Sequence, residues 1–307
     1  MQGLSRLRVM ARGVLLAMIG IGLCPPMAFA GTLSWAEVQA LPLPASEQRI
    51  AYGDDPEQFG ELRLPVKAGG NTPPIAVIVL LHGGCWLNQF DYRYMTRLAA
   101  ALTERGYATW TPEFRRVGDA AGGWPNTLRD AALATDHLAE LAKQHPLDLS
   151  RVVTLGHSAG GQLALWLATR GKLPPDSPLY SPHPLGIHAA IGLDAITDLG
   201  TYRIGPAESC HAAVDQLMDG TPQTQPRRYA EASPMALLPL GVPQWLIQGG
   251  ADPIVSVESV RSYAVAAAHA GDQVRLQEQP GNGHFESAVP RGSAWKALLT
   301  AVGQAVR

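Results

Sequence analysis

Ser158 stands in the pentapeptide Gly156-His157-Ser158-Ala159-Gly160. The pentapeptide lies between an apolar run of strand composition (RVVTL, residues 151–155) and one of helical composition (QLALWLA, residues 162–168). A serine at a sharp strand-to-helix turn keeps its backbone strained and lifts its hydroxyl above the carboxyl edge of a sheet. Flanking glycines leave room for strand and helix to close on each other. Such a hydroxyl becomes a nucleophile when an imidazole takes its proton and a third group fixes that imidazole's tautomer. The chemistry implied is acyl transfer by a serine hydrolase.

The best context for the base is His284, in Gly281-Asn282-Gly283-His284-Phe285, a turn after the last strand-like run. His137 and His269 fall within helical runs, and His145 ends one. His157 is the variable position of the pentapeptide and points elsewhere, and His183, His188 and His211 lie in or near loop-like sequence. The acid should follow another strand. Asp252 does so, directly after residues 244–248 (QWLIQ) and 32 residues before His284, in the order serine, acid, histidine. Asp194 and Asp198, after the preceding strand, are the alternatives, with a helix-cap role as their ordinary reading. Donors for the oxyanion are expected from the backbone of Ala159, just past the nucleophile. Gly84 and Cys85 should add theirs, from His82-Gly83-Gly84-Cys85-Trp86 after the longest apolar run.

These residues need a scaffold that brings strand ends to one edge. Residues 75–81 (IAVIVLL) read as a strand buried on both faces of a parallel sheet. Further strand-like runs fall at 107–111, 151–155, 189–193, 244–248 and 273–278, after an opening hairpin at 49–53 and 61–65. Helical periods fill 91–105, 125–143, 256–270 and 286–304. Such alternation predicts one α/β domain, residues 31–307, with a mostly parallel central sheet and helices on both faces. Residues from about 196 to 241 interrupt it. They hold a short helical piece near 211–219 and are expected to lie over the site as a small cap.

Residues 1–30 read as a signal peptide. Arg6, Arg8 and Arg12 precede a short apolar core, and Ala28-Phe29-Ala30 fits a cleavage site. The apolar core is short for a membrane span, so the expectation is cleavage after Ala30, export to the periplasm or medium, and no stable membrane insertion; a retained anchor is the alternative. The leader takes three of the 24 Lys+Arg and none of the 26 Asp+Glu, leaving 21 against 26. An acidic balance without a basic run excludes nucleic acid as an expected partner. Cys85 and Cys210 remain; in an oxidising compartment they could pair, and otherwise they are two unrelated cysteines.

Together, the segments HGGCW (82–86), EFRRV (113–117), WPNT (124–127), GHSAGG (156–161) and GAD (250–252) with Gly283-His284 resemble the α/β-hydrolase superfamily. The likeness is to its bacterial esterase/lipase group, related to kynurenine formamidases and feruloyl-esterase-like enzymes. It covers roughly residues 50–305. It implies the α/β-hydrolase fold, Ser158, Asp252 and His284 as triad, and backbone donors at Gly84, Cys85 and Ala159. Cys85 is a departure, since many lipolytic relatives have glycine there; the export signal is another, since kynurenine formamidases serve a cytosolic pathway. Arg115 and Arg116 are expected to pair with acidic side chains, the alternative being a grip on a substrate carboxylate. Trp86 and Trp124 are candidates for an aromatic acyl pocket, with packing as the other reading of Trp86. No Cys/His spacing fits zinc and no glycine-rich loop fits a phosphate, so neither metal nor cofactor is expected. The function implied is hydrolysis of small-molecule carboxylic esters through an acyl-enzyme. The rivals are an arylformamidase or amidase, an exopeptidase, and a non-catalytic binding protein on the same scaffold.

Overall fold

Alternation along buried strands sorts the core onto two faces of one sheet. A computed structural model describes residues 32–66, 73–205 and 210–307; the expected leader, residues 1–30, lies outside them. In chain order the elements begin with α1 (Trp35–Ala40), β1 (Arg49–Ala51), β2 (Phe59–Arg63), β3 (Ile75–Leu81), α2 (Thr96–Thr103), β4 (Ala108–Pro112), α3 (Asn126–Asp136) and α4 (Leu138–Leu141). They continue with β5 (Leu147–His157), α5 (Ala159–Leu167), β6 (Ala189–Leu193), α6 (Leu199–Tyr202), α7 (Cys210–Met218), α8 (Pro226–Ala232), β7 (Gln244–Gly249), α9 (Val257–His269), β8 (Val274–Gln279) and α10 (Gly292–Ala305).

Among the described residues the sheet order is β1-β2-β4-β3-β5-β6-β7-β8. The opening hairpin is antiparallel, β2 joins β4 antiparallel, and every pairing from β4 through β8 is parallel. In β3, Val77, Val79 and Leu81 face one layer, with Leu128 of α3, Leu163 and Trp166 of α5 and Tyr263 of α9. Ile78 and Leu80 face the other layer, with Leu98 and Leu102 of α2 and Leu298 and Val302 of α10. Period-two side chains on a strand covered on both sides account for the unbroken apolar run of β3.

Three expectations are refined. The helix expected over 286–304 begins only at Gly292, because Pro290 keeps Val289 extended (φ −124°, ψ 143°). The helix expected over 125–143 is broken at His137 into α3 and α4. Among its described residues the 196–241 segment carries three α-helices, α6, α7 and α8, rather than one. Asp198 caps α6 through the amide of Gly200, and Pro226 starts α8 where a missing N–H costs nothing. Its Leu199, Val214, Leu217 and Tyr229 pack into the α5 layer of the core.

A disulfide joins Cys85, in the turn after β3, to Cys210 at the start of α7, with Cα atoms 5.0 Å apart across 125 residues of sequence. Closing so long a loop removes chain entropy from the unfolded state. Cys210→Ala should therefore destabilise the fold by about 3 kcal/mol, lowering the melting temperature by roughly 10 °C. Calorimetry on both forms checks this; equal melting temperatures would contradict it.

Candidate active site

The turn between β5 and α5 holds Ser158 at φ 56°, ψ −121°, a region that L-residues occupy only under constraint. The constraint is close packing of glycines. A Cβ on Gly156 would lie 1.9 Å from the carbonyl oxygen of Gly160, and one on Gly160 would lie 2.2 Å from that of Leu81. Backbone bonds pin the turn: the Ser158 amide donates to Leu193 O (2.8 Å), and Ser158 O accepts from the amides of Gly161 (2.9 Å) and Ile196 (3.2 Å).

His284, 4 % exposed, follows β8 in the loop where it was expected, and its Nδ1 donates to Asp252 Oδ2 at 2.7 Å. The other Asp252 oxygen accepts from the amides of Ile254 (2.7 Å) and Val255 (3.0 Å). Burial pushes the Asp252 carboxyl up, but the His284 bond and charge and these amides outweigh it, so the group is held below its ordinary range. An ionised carboxylate only accepts. A proton therefore sits on Nδ1, and in the neutral ring Nε2 keeps its lone pair. Of the alternative acids, Asp198 caps α6. Asp194 accepts from the amide of Gly249 (2.6 Å) and pairs with the Ser287 hydroxyl.

A second imidazole stands behind the first. His157 Nε2 lies 2.8 Å from His284 O, and a carbonyl can only accept, so Nε2 carries the proton. Its Nδ1 then accepts from the Tyr94 hydroxyl (3.0 Å), whose oxygen accepts in turn from the amide of Gly83 (2.5 Å). The chain ties the Gly83 segment, the Ser158 turn and the His284 loop together. Burial drives His157 down to about 3, so the ring is neutral.

In the expected oxyanion segment Gly84 has φ 96°, and a Cβ there would lie 2.2 Å from Phe90; Cys85 (φ 57°) and Trp86 (φ 56°) continue the left-handed turn. With the Gly83 amide committed to Tyr94, the amides of Gly84 and Cys85 have no hydrogen-bond partner among the described residues. Ala159 opens α5, where the first amides of a helix are unpaired. His82 anchors the segment from beneath, bonded to Glu113 Oε1 (2.8 Å) and stacked on Phe114.

Ser158 and His284 open into one cavity of about 170 Å³, which Gly84 and Cys85 also line. Its other walls are Trp35, Phe90, Tyr94, His157, Cys210, Ile254 and Phe285. Two candidate aromatics lie elsewhere. Trp86 is buried (1 % exposed) and donates to Gln162, since its place under the turn packs it into the core. Trp124 sits beside Leu217 and Arg228. Arg115 forms a bidentate pair with Asp130, and Arg116 contacts Glu57, Glu113 and Asp119, as expected of loop-holding cations. A larger cleft, about 730 Å³, includes Ile75, Ala76 and Arg151, near the amino ends of β3 and the paired stretch of β5, away from Ser158. Ligands in such sheets bind outside the carboxyl ends, so the smaller cavity is the candidate site. Among the described residues no group of three or more His, Cys, Asp or Glu converges as a metal site would, and no helix is long and apolar enough to cross a membrane.

A family model described as BD-FAE matches residues 62–265. No curated protein matches the chain. Among solved structures, the bifunctional GH43-CE protein of Bacteroides eggerthii superposes with a TM-score of 0.72 at 20% identity, over 85% of this chain; this chain spans only 35% of that longer one. Native esterase 2 of Thermogutta terrifontis gives 0.70 at 20% identity, covering 87% of this chain and 95% of its own. Esterase B from Lactobacillus rhamnosis gives 0.73 at 17%, covering 88% and 90%. The shared architecture is the α/β-hydrolase fold.

Two buried groups make opposite contributions to stability against pH. His157, depressed to about 3, stabilises fully above its unfolded value and loses that contribution as pH falls towards 3. Asp194, raised to about 7 by burial first and the nearby Asp252 charge, with His284 opposing, contributes below its unfolded value of 3.8 and loses it as pH rises through 7. Asp194→Asn removes the second contribution alone. Relative to wild type, the variant should gain at least about 1 kcal/mol between pH 4 and pH 7, measured by urea unfolding at each pH. A difference independent of pH would contradict this.

Proposed function

The chain belongs to the BD-FAE family, and on that premise we propose that it is a serine esterase acting on small carboxylic esters through an acyl-enzyme. One observation carries the reading: a strained serine and an imidazole held by a buried carboxylate open into the same cavity. The Ser158 hydroxyl attacks the ester carbonyl while His284 Nε2 takes its proton. The negative charge that develops on the former carbonyl oxygen meets the amides of Gly84, Cys85 and Ala159, each worth on the order of 3 kcal/mol. As the intermediate collapses, the C–O bond to the alcohol breaks and His284 returns the proton to the leaving oxygen. Water then attacks the acyl-Ser158 carbonyl, its proton passing through the same imidazole. Asp252 holds the ring with Nε2 inward and stabilises the imidazolium.

Two further supports exist. Esterase 2 of Thermogutta terrifontis has been solved phosphonylated by sarin and with propionate bound. A dry apolar cavity of about 150 Å³ accepts one benzene, so 170 Å³ suits a small acyl or alcohol group. We also propose export, with residues 1–30 removed. The Cys85–Cys210 bond supports it, because such bonds persist in oxidising compartments.

Ser158→Ala should keep the far-UV circular dichroism of the wild type and lose about 10⁴-fold or more in kcat on p-nitrophenyl butyrate. A variant that kept its turnover would remove Ser158 from the reaction. Intact mass of protein recovered from a secreting host should begin at Gly31; a mass beginning at Met1 in that fraction would sink the cleavage proposal.

A further inference from the structure

One wall of the cavity comes from far outside the catalytic loops. Trp35, in α1, lines it beside Ser158 and His284. Its indole stands edge-on to Phe90 and to Tyr94, ring centroids 5.4 Å apart in each case, and tilted against Phe285 at 5.7 Å. All three partners line the same cavity.

The segment that carries Trp35 is fastened on several sides. A capping box starts α1: Ser34 Oγ accepts from the Glu37 amide (3.3 Å), and Glu37 Oε2 accepts from the Ser34 amide (2.8 Å). Val38 is fully buried on the α2 and α10 side of the core. Beyond the helix, Arg97 of α2 donates to the carbonyls of Leu41 and Pro42. Most telling is Glu286, whose Oε1 accepts from the amide of Leu33 (2.5 Å) while Oε2 accepts from that of Gly283 (2.8 Å). One carboxylate thus joins this segment to the loop of His284. The approach is tight, since a Cβ on Gly283 would lie 2.8 Å from Thr32 Cβ.

We propose that residues 32–40 form a wall of the substrate site and that Trp35 sets the size of the ester substituent the site accepts. The proposal rests on the reading of Ser158 as nucleophile. In a cavity of about 170 Å³, a rigid indole held edge-on by two rings and tilted against a third takes up part of the wall, and shortening it opens space in the cavity that Ser158 and His284 also line. A purely structural Trp35 would behave differently: its loss would lower activity on every ester by the same factor. A specificity wall changes ratios, because one methylene that gains or loses its place in a pocket alters kcat/KM by about tenfold or more.

The test compares wild type with Trp35→Ala and Trp35→Phe on two panels. One is p-nitrophenyl esters from acetyl to octanoyl; the other is acetate esters of alcohols of increasing size. The wild type should fall steeply with length in the panel whose variable group enters the cavity. In that panel Trp35→Ala should raise kcat/KM for the long member relative to the short one by about tenfold or more, with Trp35→Phe between. Should Trp35→Ala fail to fold, Trp35→Phe and Trp35→Leu supply the same ratio. Unchanged ratios in both panels overturn the proposal while leaving Ser158 as nucleophile. A folded wild type that hydrolyses no ester and takes no fluorophosphonate label overturns that reading, and this inference with it.

Discussion

The backbone of Ser158 is held where an L-residue does not rest by itself, and the surrounding packing exists to hold it there. Gly156 and Gly160 let the end of β5 and the start of α5 come within carbonyl contact, and any side chain at either position would force them apart. Leu193, at the end of β6, receives the Ser158 amide, so the neighbouring strand also fixes the turn. Strain of this kind costs on the order of 1–3 kcal/mol and persists only where the surroundings over-determine it. Here the central strands of a sheet, covered by α2 and α10 on one side and α3, α5 and α9 on the other, supply that rigidity.

Behind the turn, polar groups are buried in pairs that leave few choices of proton position. A carbonyl that can only accept sets the tautomer of His157, and a carboxylate that can only accept sets that of His284. Gly83, Tyr94, His157 and His284 consequently form one chain through three loops that are distant in sequence. Tyr94 links that chain to the cavity, where the same side chain meets the indole of Trp35. A network of this sort is costly unless every member is satisfied, and satisfied it specifies one arrangement.

Much of this was legible in the residues. The long apolar strand, the alternation of strands and helices, and the candidate side chains at strand ends follow from period and composition, and the structure brings Asp252 and His284 together. Arg115 and Arg116 were readable as loop clamps from their place after a strand end, but of the acids they hold only Glu113 and Asp119 lie close in sequence, while Asp130 and Glu57 come from distant segments. The cavity walls were not legible. Trp35 belongs to a stretch with no period linking it to the site, and only tertiary contact brings it there. Trp86 and Trp124 were conspicuous by proximity to motifs, yet burial beneath the turn takes Trp86 away from the cavity. His157 read as pointing elsewhere, but its bond to the carbonyl of His284 forms only when two loops meet. Helix ends were blurred where Pro290 and His137 interrupt otherwise continuous patterns.

The account stands on one alcohol being made reactive by one imidazole. Treatment with a fluorophosphonate, followed by peptide mapping, tests it most directly, with labelling rates compared between wild type and His284→Ala. The account predicts a single adduct on Ser158, formed at least about 10³-fold more slowly in the variant. An adduct on another residue, or equal rates in the two proteins, would contradict it.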